Sequence, residues 1–250
     1  MIHWENVLAG ADTDAAIHLA AGHVVAALNH PSGRRCVALA GGGTPKSLYS
    51  ALTQSPWRGR VDFSNVEWFW GDERAVPPDR PDSNYRMARE TLLAPLGIDP
   101  ARIHRMPADA ADLPASAESY ERTIRDIVPA GKSGIPVFDL VLLGIGADGH
   151  TAGLFPGSAG LNEQNRLVVA HEVPSLRMWR MTMTFPLLKA AARILFLVTG
   201  PGKAEIMSQI LGPQADPGRL PAASFCGLPD SVTWILNADA ARLVRPIRPV

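Results

Sequence analysis

The run Phe138-Asp139-Leu140-Val141-Leu142-Leu143 is almost continuously apolar and breaks at once into Gly144, Gly146 and Gly149. Such a run reads as a strand buried on both faces of a sheet. Arg35–Ala40, Val66–Trp70, Ile194–Val198 and Val232–Leu236 repeat the pattern, and further strands are expected at Leu167–Ala170 and Met178–Thr184. Between them lie stretches with helical character, at Asp14–Leu28, Lys46–Leu52, Asn84–Leu93, Ser116–Val128, Pro186–Ala192 and Ala204–Leu211. Strands alternating with helices imply an α/β chain with a mainly parallel, doubly wound sheet and helices on both faces. No repeat or linker divides it. Ala130–Gly134 reads as a loop because the strand pattern resumes directly after it, so residues 1–250 are expected to form a single domain.

Local signals refine this outline. Asp12 or Thr13 suits the N-cap of the first helix, whose apolar stripe is read as Ala15, Leu19, Val24, Val25 and Leu28. His18, His23 and His30 read as surface or helix-end histidines. Gly71-Asp72-Glu73-Arg74 reads as a charged loop at the carboxyl edge of the sheet. Val76–Pro81 reads as a proline-rich loop wrapping the site, and Ser83 as the cap of the helix after it. A small strand is expected at Ile103–Met106, and Asn237 caps a last short helix.

Composition removes several function classes. Lys plus Arg and Asp plus Glu number 24 each, with no long block of like charges, which disfavours a nucleic-acid or anionic-membrane partner. No apolar run approaches the ~18 residues that span a bilayer. Cys36 lies in a strand-like run and Cys226 far from it, so neither a disulfide framework nor a metal site is expected. With no charged-then-apolar leader at MIHWENVLAG, a cytoplasmic protein is the expectation.

Three glycine loops then carry the chemistry. Gly41-Gly42-Gly43-Thr44-Pro45 follows a strand and opens a helix, an arrangement whose amide groups and dipole favour an anion, with Thr44 read as the cap. It lacks the Gly-Lys-Ser/Thr of a nucleotide-binding P-loop. Thr199-Gly200-Pro201-Gly202-Lys203 repeats the strand–loop–helix design with a cation. Gly144-Ile145-Gly146-Ala147-Asp148-Gly149 matches G-x-G-x-x-G, but Gly153, Pro156, Gly157 and Gly160 prevent the helix that a dinucleotide pyrophosphate would need. That loop instead presents Asp148 and His150. An imidazole is the usual general base near neutral pH, and a neighbouring carboxylate can orient it. No serine or cysteine stands in a nucleophile-elbow context, so the nucleophile is water.

Several motifs in order, LAGGGTP at Leu39–Pro45, WGDERAVP at Trp70–Pro77 with Ser83-Asn84-Tyr85, GIGADGHTAGLFP at Gly144–Pro156, RMTMT at Arg180–Thr184 and Gly200–Lys203, resemble the 6-phosphogluconolactonase family over nearly the whole chain. The superfamily also includes glucosamine-6-phosphate deaminase. That enzyme follows its Asp-Gly-His with Phe-Asn-Glu-Pro and has Asp-Glu-Tyr where Asp72-Glu73-Arg74 stands here. Two departures from the lactonase pattern are Gly153, often serine, and Asn237, commonly aspartate.

The resemblance implies a Rossmann-like, glucosamine-6-phosphate deaminase-like fold. It also implies hydrolysis of a sugar-phosphate lactone, 6-phospho-D-glucono-1,5-lactone, with no cofactor and no metal. In that scheme Gly42, Gly43, Thr44, Arg180 and Lys203 hold the phosphate, His150 is the base and Asp148 its partner. Backbone amides of the glycine loop or Arg74 stabilise the oxyanion, contact with ring hydroxyls being Arg74's other role. A sugar-phosphate sensor on the same fold could dispense with the Asp-Gly-His pair. The expected assembly is a monomer or weak homo-oligomer.

Overall fold

The computed structural model describes residues 3–29, 33–228 and 230–245, with the backbone of 248–249; His30 lies outside the described residues. Among the described residues ten strands form two sheets. In chain order they are β1 (Val7–Gly10), β2 (Arg35–Leu39), β3 (Val66–Trp70), β4 (Asp72–Arg74), β5 (Leu140–Leu143), β6 (Val168–Val173), β7 (Met178–Met183), β8 (Ile194–Val198), β9 (Val232–Asn237) and β10 (Arg248–Pro249). The helices are α1 (Thr13–Leu28), α2 (Gly43–Leu52), α3 (Asn84–Ala88), α4 (Leu113–Ile127), α5 (Phe185–Lys189), α6 (Ala204–Ile210) and α7 (Ala238–Ala241).

The large sheet has the order β10-β1-β9-β8-β5-β2-β3, and every pairing in it is parallel. β3, β5 and β8 are buried at every residue, which requires cover on both faces, as doubly wound sheets have. From β2 the chain steps outward to β3. It then returns to the other side of β2 at β5 and continues through β8 and β9. Strand order therefore reverses between β2 and β5, and such a switch point opens a crevice at the carboxyl ends of the strands.

The second sheet was not foreseen. β4, β7 and β6 form a three-stranded antiparallel unit, so the two strands read from 167–184 do not extend the parallel sheet. The segment expected as a charged loop, Asp72–Arg74, is its edge strand. α4 lies against β6, where Glu121 Oε2 accepts hydrogen bonds from the Leu167 and Val168 amides at 2.8 and 3.2 Å. The buried core contains residues of both sheets, among them Phe69, Val141 and Phe196 of one and Met181 of the other.

Other expectations shift in detail. Asp12 caps α1, but the buried face is Ala16, Ile17, Ala20, Ala21, Val24, Ala27 and Leu28, leaving Ala15, Leu19 and Val25 only half-buried. α1 is apolar almost all round, so periodicity cannot select its inward face. Ile103 makes an isolated bridge to Trp68 in place of a strand. Ser83 caps α3, which continues as a π-helical turn at Arg89–Leu93. Among the described residues no helix is long and apolar enough to cross a membrane.

Candidate active site

A cavity of about 260 Å³ occupies the switch point. Gly41–Pro45 form one wall, Gly144–Gly146 with His150 the next, Thr199 and Lys203 a third, and Asp72, Arg74 and Asn84 the fourth. Gly42, Gly43, Thr44, Arg74, His150 and Lys203 thus meet from four separate stretches of chain.

The glycine wall is held from behind. Tyr49, in the second turn of α2, donates its hydroxyl to the Ala40 carbonyl at 2.8 Å and accepts from the Ala40 amide at 2.9 Å, pinning the end of β2. Gly42, with φ of 104°, is the N-cap of α2, a backbone state that favours glycine. Thr44 is therefore not the cap. It sits in the first turn, and its hydroxyl is hydrogen-bonded to Thr199 Oγ1 at 2.8 Å. Thr199 is a cavity residue that the sequence reading did not single out. At the second anion loop, Asn237 Oδ1 accepts from the amides of Gly200 and Ala240 at 3.1 and 3.0 Å, so Asn237 caps α7 and ties the Lys203 loop to β9. Lys203 Nζ donates to the Ile145 carbonyl at 2.6 Å. Burial pulls the Lys203 ammonium below its ordinary pKa, with Asp148 opposing.

The loop after β5 is tightly folded. Gly146 N–H donates to the His150 carbonyl at 2.9 Å, and Thr151 Oγ1 donates to the Gly144 carbonyl at 2.9 Å. His150 Nδ1 lies 2.5 Å from Asp148 Oδ1, which also accepts from the His150 amide at 3.1 Å. A carboxylate oxygen accepts, so Nδ1 is the donor of this bond, which leaves Nε2 the lone pair in the neutral ring. The imidazole stacks on Phe155 with centroids 3.8 Å apart. A Cβ on Gly146 would stand 2.0 Å from His150 Nδ1, so glycine is required for the pair to meet. Asp148 lines a neighbouring hollow with Gly202, Glu205 and Arg219, while His150 lines the cavity.

Arg180 is not part of the cavity wall. It is opposite Arg74 in the β4–β7 register, 7% exposed, and its Nη1 rests 2.8 Å from Met178 Sδ. Its guanidinium stands 6.0 Å from the centre of the Phe155 ring. Burial lowers its pKa, Asp72 opposing and Arg74 adding. Asp72 and Asn84, both cavity residues, were also not singled out as site residues. The run of charges at Asp72–Arg74 and the Ser83-Asn84-Tyr85 match were the available signals.

Residues 11–234 match the family described as glucosamine-6-phosphate isomerases/6-phosphogluconolactonase. A 6-phosphogluconolactonase of Synechocystis sp. is 40% identical over 216 residues, which is 86% of this chain and 86% of that protein. The solved 6-phosphogluconolactonase of Trypanosoma brucei is 27% identical with a TM-score of 0.85, covering 98% of this chain and 100% of that one. A monomeric glucosamine-6-phosphate deaminase, 24% identical with a TM-score of 0.80 over 95% of this chain and 99% of its own, shares the fold. The chain belongs to the glucosamine-6-phosphate isomerase/6-phosphogluconolactonase family.

Proposed function

We infer that this protein hydrolyses 6-phospho-D-glucono-1,5-lactone to 6-phospho-D-gluconate. The observation that carries the reading is the meeting, in one cavity, of a glycine-loop anion cradle with a histidine whose Nδ1–H is committed to a carboxylate. The relatives' names support the same substrate.

In this reading the α2 amino terminus at Gly42, Gly43 and Thr44, with Lys203, takes the phosphate, because first-turn amides and an ammonium both favour an anion. Anchoring the phosphate fixes the lactone carbon relative to His150, which lowers the entropic cost of attack. Nε2 of His150 removes a proton from water as its oxygen bonds to the carbonyl carbon, and the carbonyl electron pair moves onto oxygen. Asp148 holds the ring and stabilises the imidazolium; proton removal by a base such as His150 is worth about 10²–10⁴-fold. Collapse of the tetrahedral intermediate breaks the bond to the ring oxygen, which takes the proton back from Nε2. The carboxylic acid product then releases its own proton to solvent. Loop amides or Arg74 face the developing oxyanion, at roughly 3–4 kcal/mol per donor. Arg180 lies outside the cavity wall and places a second positive charge opposite Arg74 in the β4–β7 register. The reading carries with it a cytoplasmic monomer or weak homo-oligomer.

The deciding experiment is lactone hydrolysis assayed beside glucosamine-6-phosphate deamination. The expected result is acid release from the lactone and no ammonia from the amino sugar. The reverse would overturn the reading. His150→Asn should lower kcat while leaving product affinity near the wild-type value.

A further inference from the structure

Side chains alternate along β4. Asp72 and Arg74 line the cavity, and Glu73 between them does not. Glu73 is 3% exposed, and its carboxylate is surrounded by donors. Oε1 accepts from the Arg74 and Asn84 amides, both at 2.8 Å. Oε2 accepts from the Tyr85 amide at 2.8 Å and the Ser83 hydroxyl at 3.0 Å. Burial pushes the Glu73 carboxyl above its ordinary pKa, while the three amides hold it down by favouring the ionised form. The chain leaves β4 at Arg74, runs through the proline-rich loop and returns at Ser83. One buried carboxylate therefore joins the two ends of that loop.

Two cavity residues hang from this closure. The Asn84 side chain fills the space that a Cβ on Gly41 would need, since that Cβ would stand 1.8 Å from Asn84 Oδ1. Asn84 Nδ2 also donates to the Asp72 carbonyl at 3.0 Å. On the other side, Arg74 Nη1 donates to the Asp82 carbonyl, the last residue of the loop before Ser83, at 2.6 Å. The wall behind the anion loop and the guanidinium across the cavity are thus set by the same group.

We propose that Glu73 is a positioning residue for substrate: its carboxylate sets Asn84 against Gly41 and Arg74 against Asp82, and so fixes the spacing between the phosphate loop and the Arg74 guanidinium. The proposal rests on the lactonase reading of the cavity. His150 and Asp148 stand on the loop after β5, so Glu73 leaves the base in place; of Arg74's two roles it sets contact with the ring hydroxyls, the loop amides facing the oxyanion, and so it governs binding.

Glu73→Gln keeps the side chain's size but turns one end into a donor facing donors. The expected result is a folded enzyme whose KM for the phosphorylated lactone rises about tenfold, with kcat within about threefold and the acid limb of its pH profile unmoved. An unchanged KM in the folded variant overturns the proposal, and so does a fall in kcat at constant KM. Should Glu73→Gln not fold, Glu73→Asp, which keeps the charge but falls one methylene short, is read by the same criteria. If the wild-type protein shows no lactonase activity, the functional reading fails separately. The affinity for 6-phosphogluconate, measured by calorimetry in wild type and variant, then decides: about tenfold weaker binding supports positioning and equal binding overturns it.

Discussion

Thr44 and Thr199, 155 residues apart, share a hydrogen bond of 2.8 Å that joins the two loops opening α2 and the Lys203 turn. Each loop follows a buried strand of the parallel sheet, and in each the N-cap is a glycine of positive φ, Gly42 at 104° and Gly200 at 102°. The bond joins two walls of the cavity, each carrying groups suited to one anion.

Thr199→Val keeps the shape and removes the hydroxyl partner. A neutral hydrogen bond contributes about 0.5–1.5 kcal/mol, so KM for the phosphorylated lactone should rise by roughly two- to tenfold with kcat nearly constant. Unphosphorylated gluconolactone should be hydrolysed equally well by variant and wild type. Equal losses with both lactones would show that the bond does not serve the phosphate.

What was legible in the sequence follows from how local each signal is. β8 matches its apolar run end to end, because full burial on both faces leaves a mark at every residue, and β3 matches its expected bounds with one exception in pattern, the buried Glu67 held by Arg102 and His104. The glycine loops and the Asp148–His150 pair were equally readable, since each constraint lies within a few residues. β4 was not. Three charges in a row resemble a solvated loop until the donors on Glu73 are known, and those come from ten to twelve residues downstream. Thr44 looked like a cap because threonine usually caps. The partner that claims its hydroxyl lies on another strand's loop. Arg180 was legible as a cation near the site but not as one lying behind Phe155, a placement that depends on the antiparallel sheet.

Gly153, where a serine is common among lactonases, belongs to a local exchange with Thr182. A Cβ at this position would come 2.7 Å from Thr182 Cβ, and the Gly153 amide donates to Thr182 Oγ1 at 3.0 Å. Thr182 is fully buried and cannot retreat. Gly153→Ser should therefore cost about 1–3 kcal/mol of stability through overpacking. The Thr182→Gly, Gly153→Ser double variant should cost less than the sum of the two single changes, as contacting residues do. Denaturant midpoints of the four proteins measure the coupling. Strict additivity would mean that the loop relaxes without regard to Thr182.

His171 links the same loop to pH. It is 6% exposed on β6 and faces Arg180 across the β6–β7 register. Its Nε2–H donates to the Gly153 carbonyl at 2.9 Å, and its buried Nδ1 has no hydrogen-bond partner among the described residues. Burial lowers its pKa, the Gly153 carbonyl opposes and Arg180 adds to the lowering. The unfolded chain takes up the proton near the ordinary value of 6.5, whereas the folded chain resists it to lower pH. The unfolded state thus binds more protons below that value, so the stability is fully present above it and is lost progressively as pH falls from there through the lower folded-state value. One such group gives a slope of at most about 1.4 kcal/mol per pH unit. His23, also lowered by burial and by Arg193, acts in the same direction. In His171→Gln the amide can keep the bond to Gly153 without a titrating ring. The stability of the variant relative to wild type should then increase as pH is lowered from about 7 to about 5. Urea midpoints across that range provide the measurement, and parallel curves for the two proteins would remove His171 as the source.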